Sequence, residues 1–204
     1  MIIAVEGPSG AGKTTWCRTH GGANALLEAL PDHATVPTEP HAAARFWVER
    51  NVARWHEVLD REARDGLVVV DTDPFKLHFM WTMFRTGQVT EIEWTTQRAV
   101  ARDAFAAGRY ALADVFLVSD VDDATLRARR ESDQSRARHN FERHIALRDS
   151  VLRWYAAIDR LEPGRVVFGL PVDGLTPALL AKGKRTTPSG LMLFDRLMNE
   201  LAAL

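Results

Sequence analysis

The sequence is short of cysteine, of net charge and of long apolar runs, and each shortage excludes a class of protein. Cys17 is the single cysteine among 204 residues, so neither a disulfide framework nor a cysteine metal site is expected. The formal net charge of −1 argues against a dedicated binder of nucleic acid or of a membrane surface. No apolar run reaches the length of a membrane span, and no cationic stretch leads into an apolar one near residue 1. We therefore expect a cytoplasmic protein.

The apolar residues that are present suffice for one core. With 46% hydrophobic residues, a single domain over residues 1–204 is the expectation. Short, nearly continuous apolar runs predict five strands, at 1–6, 34–36, 67–70, 113–118 and 165–168. Helical periodicity separates them, in a helix that ends near Gly66, in the region 136–160 and from about Ser189 onward. Strands that alternate with helices predict an α/β fold with a parallel sheet covered on both faces.

Residues 7–14 carry the most specific signal, Gly-Pro-Ser-Gly-Ala-Gly-Lys-Thr. This is the P-loop pattern G-x-x-x-x-G-K-[ST], and it stands between a predicted strand and a predicted helix, as the pattern requires. Glycines let successive backbone N–H groups converge on phosphate oxygens, the lysine reaches the β and γ phosphates, and the threonine hydroxyl ligates Mg²⁺. The sequence therefore predicts an ATP site with Mg²⁺, formed by Gly7, Pro8, Ser9, Gly10, Ala11, Gly12, Lys13, Thr14 and Thr15.

Carboxylates follow two of the predicted strands. Glu39 comes after the second strand, and Asp71 and Asp73 come after the third. Parallel sheets bind ligands beyond the carboxyl ends of their strands, where a carboxylate can join the Mg²⁺ shell or accept the proton of an attacking hydroxyl. We expect Asp71 to serve the metal or the acceptor and Glu39 to serve the acceptor. Asp73, before a proline, fits an acceptor contact or an ordinary turn equally well.

An arginine-rich segment spans about 127–143 and includes Arg127, Arg129, Arg130, Arg136 and Arg138. Guanidinium groups on a closing lid would stabilise charge on a phosphoryl group in transfer and exclude water, although a solvated helix face also explains such runs. We assign Arg127 to the nucleotide and Arg130 and Arg136 to the phosphoryl group. The spacing alone does not distinguish these roles.

The order of these pieces resembles the thymidylate kinase and deoxynucleoside kinase branch of the P-loop kinases over about residues 1–168. Thr38-Glu39-Pro40 resembles the Glu-Pro of deoxynucleoside kinases, whose glutamate is the general base, and the Thr-Arg-Glu-Pro of thymidylate kinases without its arginine. Asp71-Thr72 resembles their acidic-Arg pair, with Thr72 replacing the arginine. The resemblance implies five strands in the order 2-3-1-4-5, a Mg²⁺-ATP donor and, in many members, a homodimer.

The lack of arginine at two positions indicates which kind of acceptor the site binds. A nucleoside monophosphate needs fixed cations, and Thr38 and Thr72 stand where the resemblance implies arginine. Aromatic residues crowd positions 75–84, where the family builds its acceptor pocket, and they suit a flat, uncharged acceptor. We therefore expect a small-molecule kinase for a nucleoside-like hydroxyl compound. Alternatives are a nucleoside monophosphate kinase and a P-loop regulatory ATPase. The candidate acceptor contacts are Glu39, Arg45, Arg50, Asp73, Phe75 and Phe79.

Overall fold

A five-stranded parallel sheet forms the centre of the computed structural model, which describes residues 1–29, 33–132, 141–182 and 190–203. The hydrogen-bonded order is β2-β3-β1-β4-β5, and each neighbouring pair is parallel. The predicted fold class and strand order are confirmed. The strands are β1 (Ile2–Glu6), β2 (Ala25–Leu26), β3 (Val68–Asp71), β4 (Val115–Val118) and β5 (Val166–Phe168).

The described helices cover both faces of this sheet. On one face, Ile2, Ala4 and Phe116 pack against an aromatic-rich core from the longer helices. On the other, Ile3 and Val5 pack against a smaller cluster around the helix after β1. Burial on both faces explains the unbroken apolar runs. The helices are α1 (Lys13–Trp16), α2 (Pro40–Asp65), α3 (Leu77–Arg85), α4 (Glu91–Ala106), α5 (Asp123–Ser132), α6 (Phe141–Ala146), α7 (Arg148–Leu161), α8 (Pro177–Leu180) and α9 (Gly190–Ala202).

The helix boundaries follow local chemistry. Gly66 ends α2 in a left-handed conformation with φ 76°, which glycine adopts without strain, so the predicted end of this helix is confirmed. Thr90 and Glu93 form a reciprocal capping box at the start of α4. The single helical region predicted over 136–160 is two helices, α6 and α7, and residues 136–140 lie outside the described part. Within the described residues, no helix is both long enough and apolar enough to cross a membrane.

The position predicted for the second strand is wrong. Residues His33–Thr35 form a 3₁₀ turn, and the edge strand is β2, whose Ala25 and Leu26 pair with Val69 and Val70. The reason is tertiary: Gly21 lies directly against the Val69 side chain, where an added Cβ would come within 3.1 Å, and the chain therefore reaches the sheet edge by residue 25. The carboxylate that follows this strand is consequently Glu28 rather than Glu39.

Candidate active site

A cavity of about 1930 Å³ lies at the carboxyl ends of the central strands. Residues 7–16 of the glycine-rich loop and α1 form one part of its lining, and side chains of α2, α3 and α4 form another. Pockets for one small molecule commonly measure about 300–1,000 Å³. The cavity is therefore large enough for two ligands side by side.

The glycine-rich loop joins β1 to α1, as the sequence predicts. Gly7, Gly10 and Gly12 have φ values of 139°, 87° and 92°, in the region that favours glycine. An added Cβ on Gly7 would also lie 2.8 Å from the Cβ of Ser119, so this position has no room for a side chain. The Lys13 ammonium donates hydrogen bonds to the carbonyls of Gly7 (2.7 Å) and Pro8 (3.1 Å). The Lys13 ammonium thus lies against the loop, and the backbone conformation of the loop is suited to binding anions.

Thr14 and Asp71 form a pair of oxygen ligands beside this loop. The Thr14 hydroxyl donates to Asp71 Oδ2 at 2.6 Å, whereas Asp71 Oδ1 is buried and lacks a hydrogen-bond partner among the described residues. Carboxylate and hydroxyl oxygens suit Mg²⁺, which commonly keeps waters and binds substrate phosphates. The described residues contain no cluster of three or more His, Cys, Asp or Glu side chains that could hold a metal unaided. The pair therefore fits a Mg²⁺ ion shared with a nucleotide.

Glu28 is the carboxylate that follows β2, and it lines the cavity. Lys76 Nζ donates a hydrogen bond to Glu28 Oε1, and the Thr72 hydroxyl donates to Oε2 at 3.4 Å. Burial acts to raise the pKa of Glu28, but the hydrogen bond and charge of Lys76, together with the charges of Lys13 and Arg54, bring the pKa below its usual value. Glu28 is thus an ionised hydrogen-bond acceptor at neutral pH. Sequence reasoning missed it because the strand before it was assigned elsewhere.

Glu39 and Asp73 do not line the described cavity. Glu39 is exposed at the start of α2, where its carboxylate accepts hydrogen bonds from His41 N (2.9 Å) and Ala42 N (2.6 Å). The structure therefore places Glu39 at the start of α2, outside the described cavity lining. Asp73 is buried, and its Oδ1 accepts from Phe75 N at 3.0 Å, the bond of a turn residue. Burial raises the pKa of Asp73 to about 7. Of the two interpretations left open for Asp73, the turn is the one observed.

Glu6, at the end of β1, was not singled out by the sequence analysis. Its Oε2 accepts from Gly7 N (3.0 Å), and its Oε1 accepts from Asp73 N (2.8 Å). The same Oε1 lies 3.5 Å from His78 Nε2. Burial raises the pKa of Glu6, against the attraction of Lys13. Glu6 therefore ties the glycine-rich loop to the loop that follows Asp71. An acidic residue that ends an otherwise apolar strand was the available signal.

Among the described arginines of the predicted lid, Arg129 is the one next to the glycine-rich loop. Its Nη1 donates to the Ala11 carbonyl at 3.3 Å, and it lines the cavity. Arg127 and Arg130 instead both form ion pairs with Glu142 of α6. The assignments of Arg127 to the nucleotide and of Arg130 to the phosphoryl group therefore do not match their contacts. Arg136 and Arg138 lie outside the described residues.

The predicted acceptor contacts are divided between the cavity and other places. Phe79 and Arg50 line the cavity, and Arg50 also donates a hydrogen bond to the Ala29 carbonyl. Phe75 is a core residue, packed against the rings of Phe105 and Trp154, and it does not line this cavity. Arg45 is exposed and lies outside the described lining. Other residues of α2, α3 and α4 line the cavity but were not among the predicted contacts: Trp47, Arg54, Met80, Met83 and Gln97.

Solved structures of other proteins share the fold of this chain. No family model and no curated protein matches the chain. Deoxyadenosine kinase from M. mycoides with the products dCMP and a flexible dCDP aligns over 100% of both chains, with a TM-score of 0.56 and 16% identity. The chain has the fold of the P-loop nucleoside kinases. The same enzyme with bound dATP gives 0.53 and 14% over 99% of this chain and 100% of that one. NadR protein in complex with NR gives 0.52 and 16% over 98% of this chain and 51% of that one.

Proposed function

We propose that the protein is an ATP-dependent kinase that transfers the γ-phosphoryl group of ATP to a hydroxyl of a small, nucleoside-like acceptor. One observation carries this proposal: the glycine-rich loop with Lys13 and the ionised Glu28 face the same cavity, which has room for two ligands. A regulatory ATPase needs room for a nucleotide and a water only. The size of the cavity and its second, aromatic end therefore support phosphoryl transfer over hydrolysis.

The donor end is suited to a triphosphate. Backbone N–H groups of the loop, the N-terminal end of the helical segment that begins at Lys13, and the Lys13 ammonium supply positive potential for the β and γ phosphates. Thr14 and Asp71 would hold Mg²⁺, which would neutralise part of the charge of the phosphates. Arg129, three residues beyond the buried Leu126, adds a guanidinium beside Ala11. These groups position the γ phosphate and stabilise the charge that spreads over it during transfer.

Glu28 is the proposed proton acceptor. It follows β2, faces the cavity and stays ionised beside Lys76. Asp71, which the sequence analysis proposed for the metal or the acceptor, already accepts a hydrogen bond from the Thr14 hydroxyl and fits the metal better. Glu28 would orient the acceptor hydroxyl and take its proton as the bond to phosphorus forms. Positioned proton acceptance contributes about 10²–10⁴-fold to a rate, and the remainder comes from alignment of the two substrates.

The acceptor end supports a flat and uncharged molecule. Trp47, Phe79 and Met83 provide apolar and aromatic surface, and Gln97 adds an amide with both donor and acceptor groups. The cation Lys76 is paired with Glu28. Aromatic surface with a few polar groups is the usual composition of a site for a heterocyclic ring.

A nucleoside monophosphate is the second candidate acceptor, because two arginines, Arg50 and Arg54, line the cavity. Arg54 lines the cavity, and its Nη2 donates to the Asp71 carbonyl at 2.6 Å. Its Nε is buried and lacks a hydrogen-bond partner among the described residues. A guanidinium with an unused N–H can bind a phosphate.

Direct assay with a panel of acceptors tests the proposal. The protein is incubated with Mg²⁺-ATP and with nucleosides, nucleoside monophosphates or other hydroxylated metabolites, and phosphorylated products are identified by mass spectrometry. We expect a nucleoside or nucleoside-like product that Lys13→Ala abolishes, since each 1.36 kcal/mol of lost transition-state stabilisation lowers the rate about tenfold. Arg18→Ala, at an exposed position of the same helical segment, is the matched control and retains activity. ATP hydrolysis without any phosphorylated acceptor would support the regulatory ATPase instead.

A further inference from the structure

Two residues of the loop between β3 and α3 have a strained backbone. Among the described non-glycine residues, Thr72 (φ 73°) and Lys76 (φ 48°) are the ones with positive φ. The left-handed region brings Cβ against the backbone, and the conflict is greatest for a β-branched residue such as threonine. Glycine or asparagine occupies such positions with less strain. The loop therefore carries two residues that its backbone conformation disfavours.

Both strained residues direct their side chains to one carboxylate. Lys76 Nζ donates to Glu28 Oε1, and Thr72 Oγ1 donates to Glu28 Oε2. Lys76 and Glu28 are mostly buried, with side-chain exposures of 28% and 26%. Each oxygen of the carboxylate is thus held by a different residue of the same loop. Such backbone strain persists where the surroundings impose it, and it concentrates at functional sites.

Ordinary loop geometry does not account for these two side chains. Lys76 precedes α3 without forming a side-chain cap of that helix. The contribution of Thr72 to the sheet is its backbone N–H, which donates to the Val5 carbonyl at 3.0 Å and which glycine would supply equally well. Glycine at position 72 would lack the hydroxyl that donates to Glu28, and glycine at position 76 would lack the ammonium that does so.

We infer that Thr72 and Lys76 are positioning residues that hold the Glu28 carboxylate in the orientation that receives the acceptor hydroxyl. This inference rests on the proposed function, in which Glu28 takes the proton of that hydroxyl. The two donors hold both carboxylate oxygens, and each oxygen keeps a lone pair that can accept a hydrogen bond from the substrate. Lys76 also keeps a cation beside the Glu28 carboxylate.

Four variants of the full chain test this inference through kinetics and melting temperature. We expect Lys76→Met to lower kcat by about 10²-fold, the scale of a misplaced catalytic group, without changing the KM for ATP. Lys76→Arg should restore most of the lost kcat, because it returns a cation to Glu28. Thr72→Gly relieves the strain and should raise the melting temperature by about 2–4 °C while lowering kcat. Thr72→Ser keeps the hydroxyl and should keep kcat. Arg102→Met, which removes an exposed ion pair with Asp195 outside the cavity lining, is the control.

The outcomes separate this inference from the proposed function. If the wild-type protein phosphorylates an acceptor and Lys76→Met does so at the same kcat, the inference is wrong and the function stands. The same holds if Lys76→Met acts only by raising the KM for ATP, which would make Lys76 a donor-site residue. If the wild-type protein phosphorylates no acceptor, the proposed function fails. The melting temperature of Thr72→Gly then still tests the strain, because a fall in that temperature contradicts it.

Discussion

At the scale of single residues, the carboxylates at the strand ends differ in what their oxygens already bind. Asp71 has one oxygen on the Thr14 hydroxyl and one buried oxygen without a partner in the described part of the chain. Glu28 is held by Lys76 and Thr72 but faces the cavity. Glu39 uses both oxygens to cap a helix. These contacts support the proposed roles of Asp71 as a metal ligand and of Glu28 as the proton acceptor, and they show Glu39 as the cap of α2. The sequence pattern alone does not distinguish the three acids.

Asp71→Asn should weaken the binding of Mg²⁺-ATP by at least about tenfold, because an amide oxygen without charge is a poor Mg²⁺ ligand. Titration calorimetry with Mg²⁺-ATP, and with ATP in the presence of a chelator, measures this. Affinity for ATP without the metal should change much less. An Asp71→Asn protein that binds Mg²⁺-ATP normally but has lost kcat would identify Asp71 as the proton acceptor instead.

The matched pair Glu28→Gln and Glu39→Gln distinguishes the two candidate bases. We expect Glu28→Gln to lower kcat by about 10²–10⁴-fold, since the amide cannot take the proton. Glu39→Gln should leave kcat unchanged and cause a small fall in melting temperature, because only the cap of α2 is weakened. Steady-state kinetics and thermal melts of both proteins check this. The reverse pattern would restore the sequence prediction for Glu39.

At the scale of elements, α5 contacts the glycine-rich loop through Leu126 and Arg129. Leu126 of α5 is buried in a small cluster with Ala11 of the glycine-rich loop and Phe141 of α6. Arg130 lies over the Phe141 ring at 4.8 Å, and Arg127 pairs with Glu142. Arg127 and Arg130 therefore join α5 to α6. Arg129 instead contacts the glycine-rich loop at Ala11.

Arg129→Ala should lower kcat/KM for ATP by about 10- to 100-fold, the effect of one guanidinium acting on transition-state charge. Arg127→Ala removes an arginine two positions earlier that is paired with Glu142, so it should change kcat/KM by less than about threefold, as exposed ion pairs contribute little. Initial-rate kinetics with varied ATP compare the two. Equal losses in both variants would mean that the ion pairs between α5 and α6, rather than the contact with Ala11, control the donor site.

At the scale of the whole molecule, a buried polar network joins β1, the loop after β3, α3 and α7. The Tyr155 hydroxyl donates to Asp73 Oδ2 at 3.3 Å and lies 3.4 Å from His78 Nδ1. Burial lowers the pKa of His78 from 6.5 to about 3 and raises the pKa of Asp73 from 3.8 to about 7. The two groups therefore act on stability with opposite dependence on pH.

The direction of each pH dependence follows from the linkage between proton binding and folding. Asp73, with a raised folded pKa, contributes stability that is full below pH 3.8 and is lost as the pH rises towards 7. His78, with a lowered folded pKa, contributes stability that is full above pH 6.5 and is lost as the pH falls towards 3. Between pH 4.5 and 6.5 the free energy of unfolding of Asp73→Asn should thus rise with pH relative to wild type, and that of His78→Gln should fall. Each slope is at most about 1.4 kcal/mol per pH unit.

Denaturant unfolding of the three proteins at pH 4.5, 5.5 and 6.5 measures these slopes. The comparison is between slopes rather than absolute stabilities, so the general loss caused by changing a buried residue does not affect it. Parallel pH dependence in all three proteins would show that neither group changes its proton affinity on folding.

The sequence by itself determined four of the five strands and the glycine-rich loop. Unbroken apolar runs mark strands buried on both faces, the glycine spacing is a local backbone requirement, and the end of α2 is set by Gly66. These features depend on residues close together in the chain, which is why they can be read from it. Strand order followed from the resemblance of the pattern to a known branch of kinases.

Only the tertiary structure decided which side chains meet in the cavity. The edge strand is two residues long and is fixed by the packing of Gly21 on Val69, so a local pattern could not locate it, and Glu28 was missed with it. Phe75 has the same local appearance as Phe79, yet one lies in the core and the other faces the cavity. Arginines one position apart on α5 differ in their partners because α6 and the loop approach different faces of the helix. Contacts between distant segments depend on how the helices pack on the sheet, and that packing is a property of the whole fold.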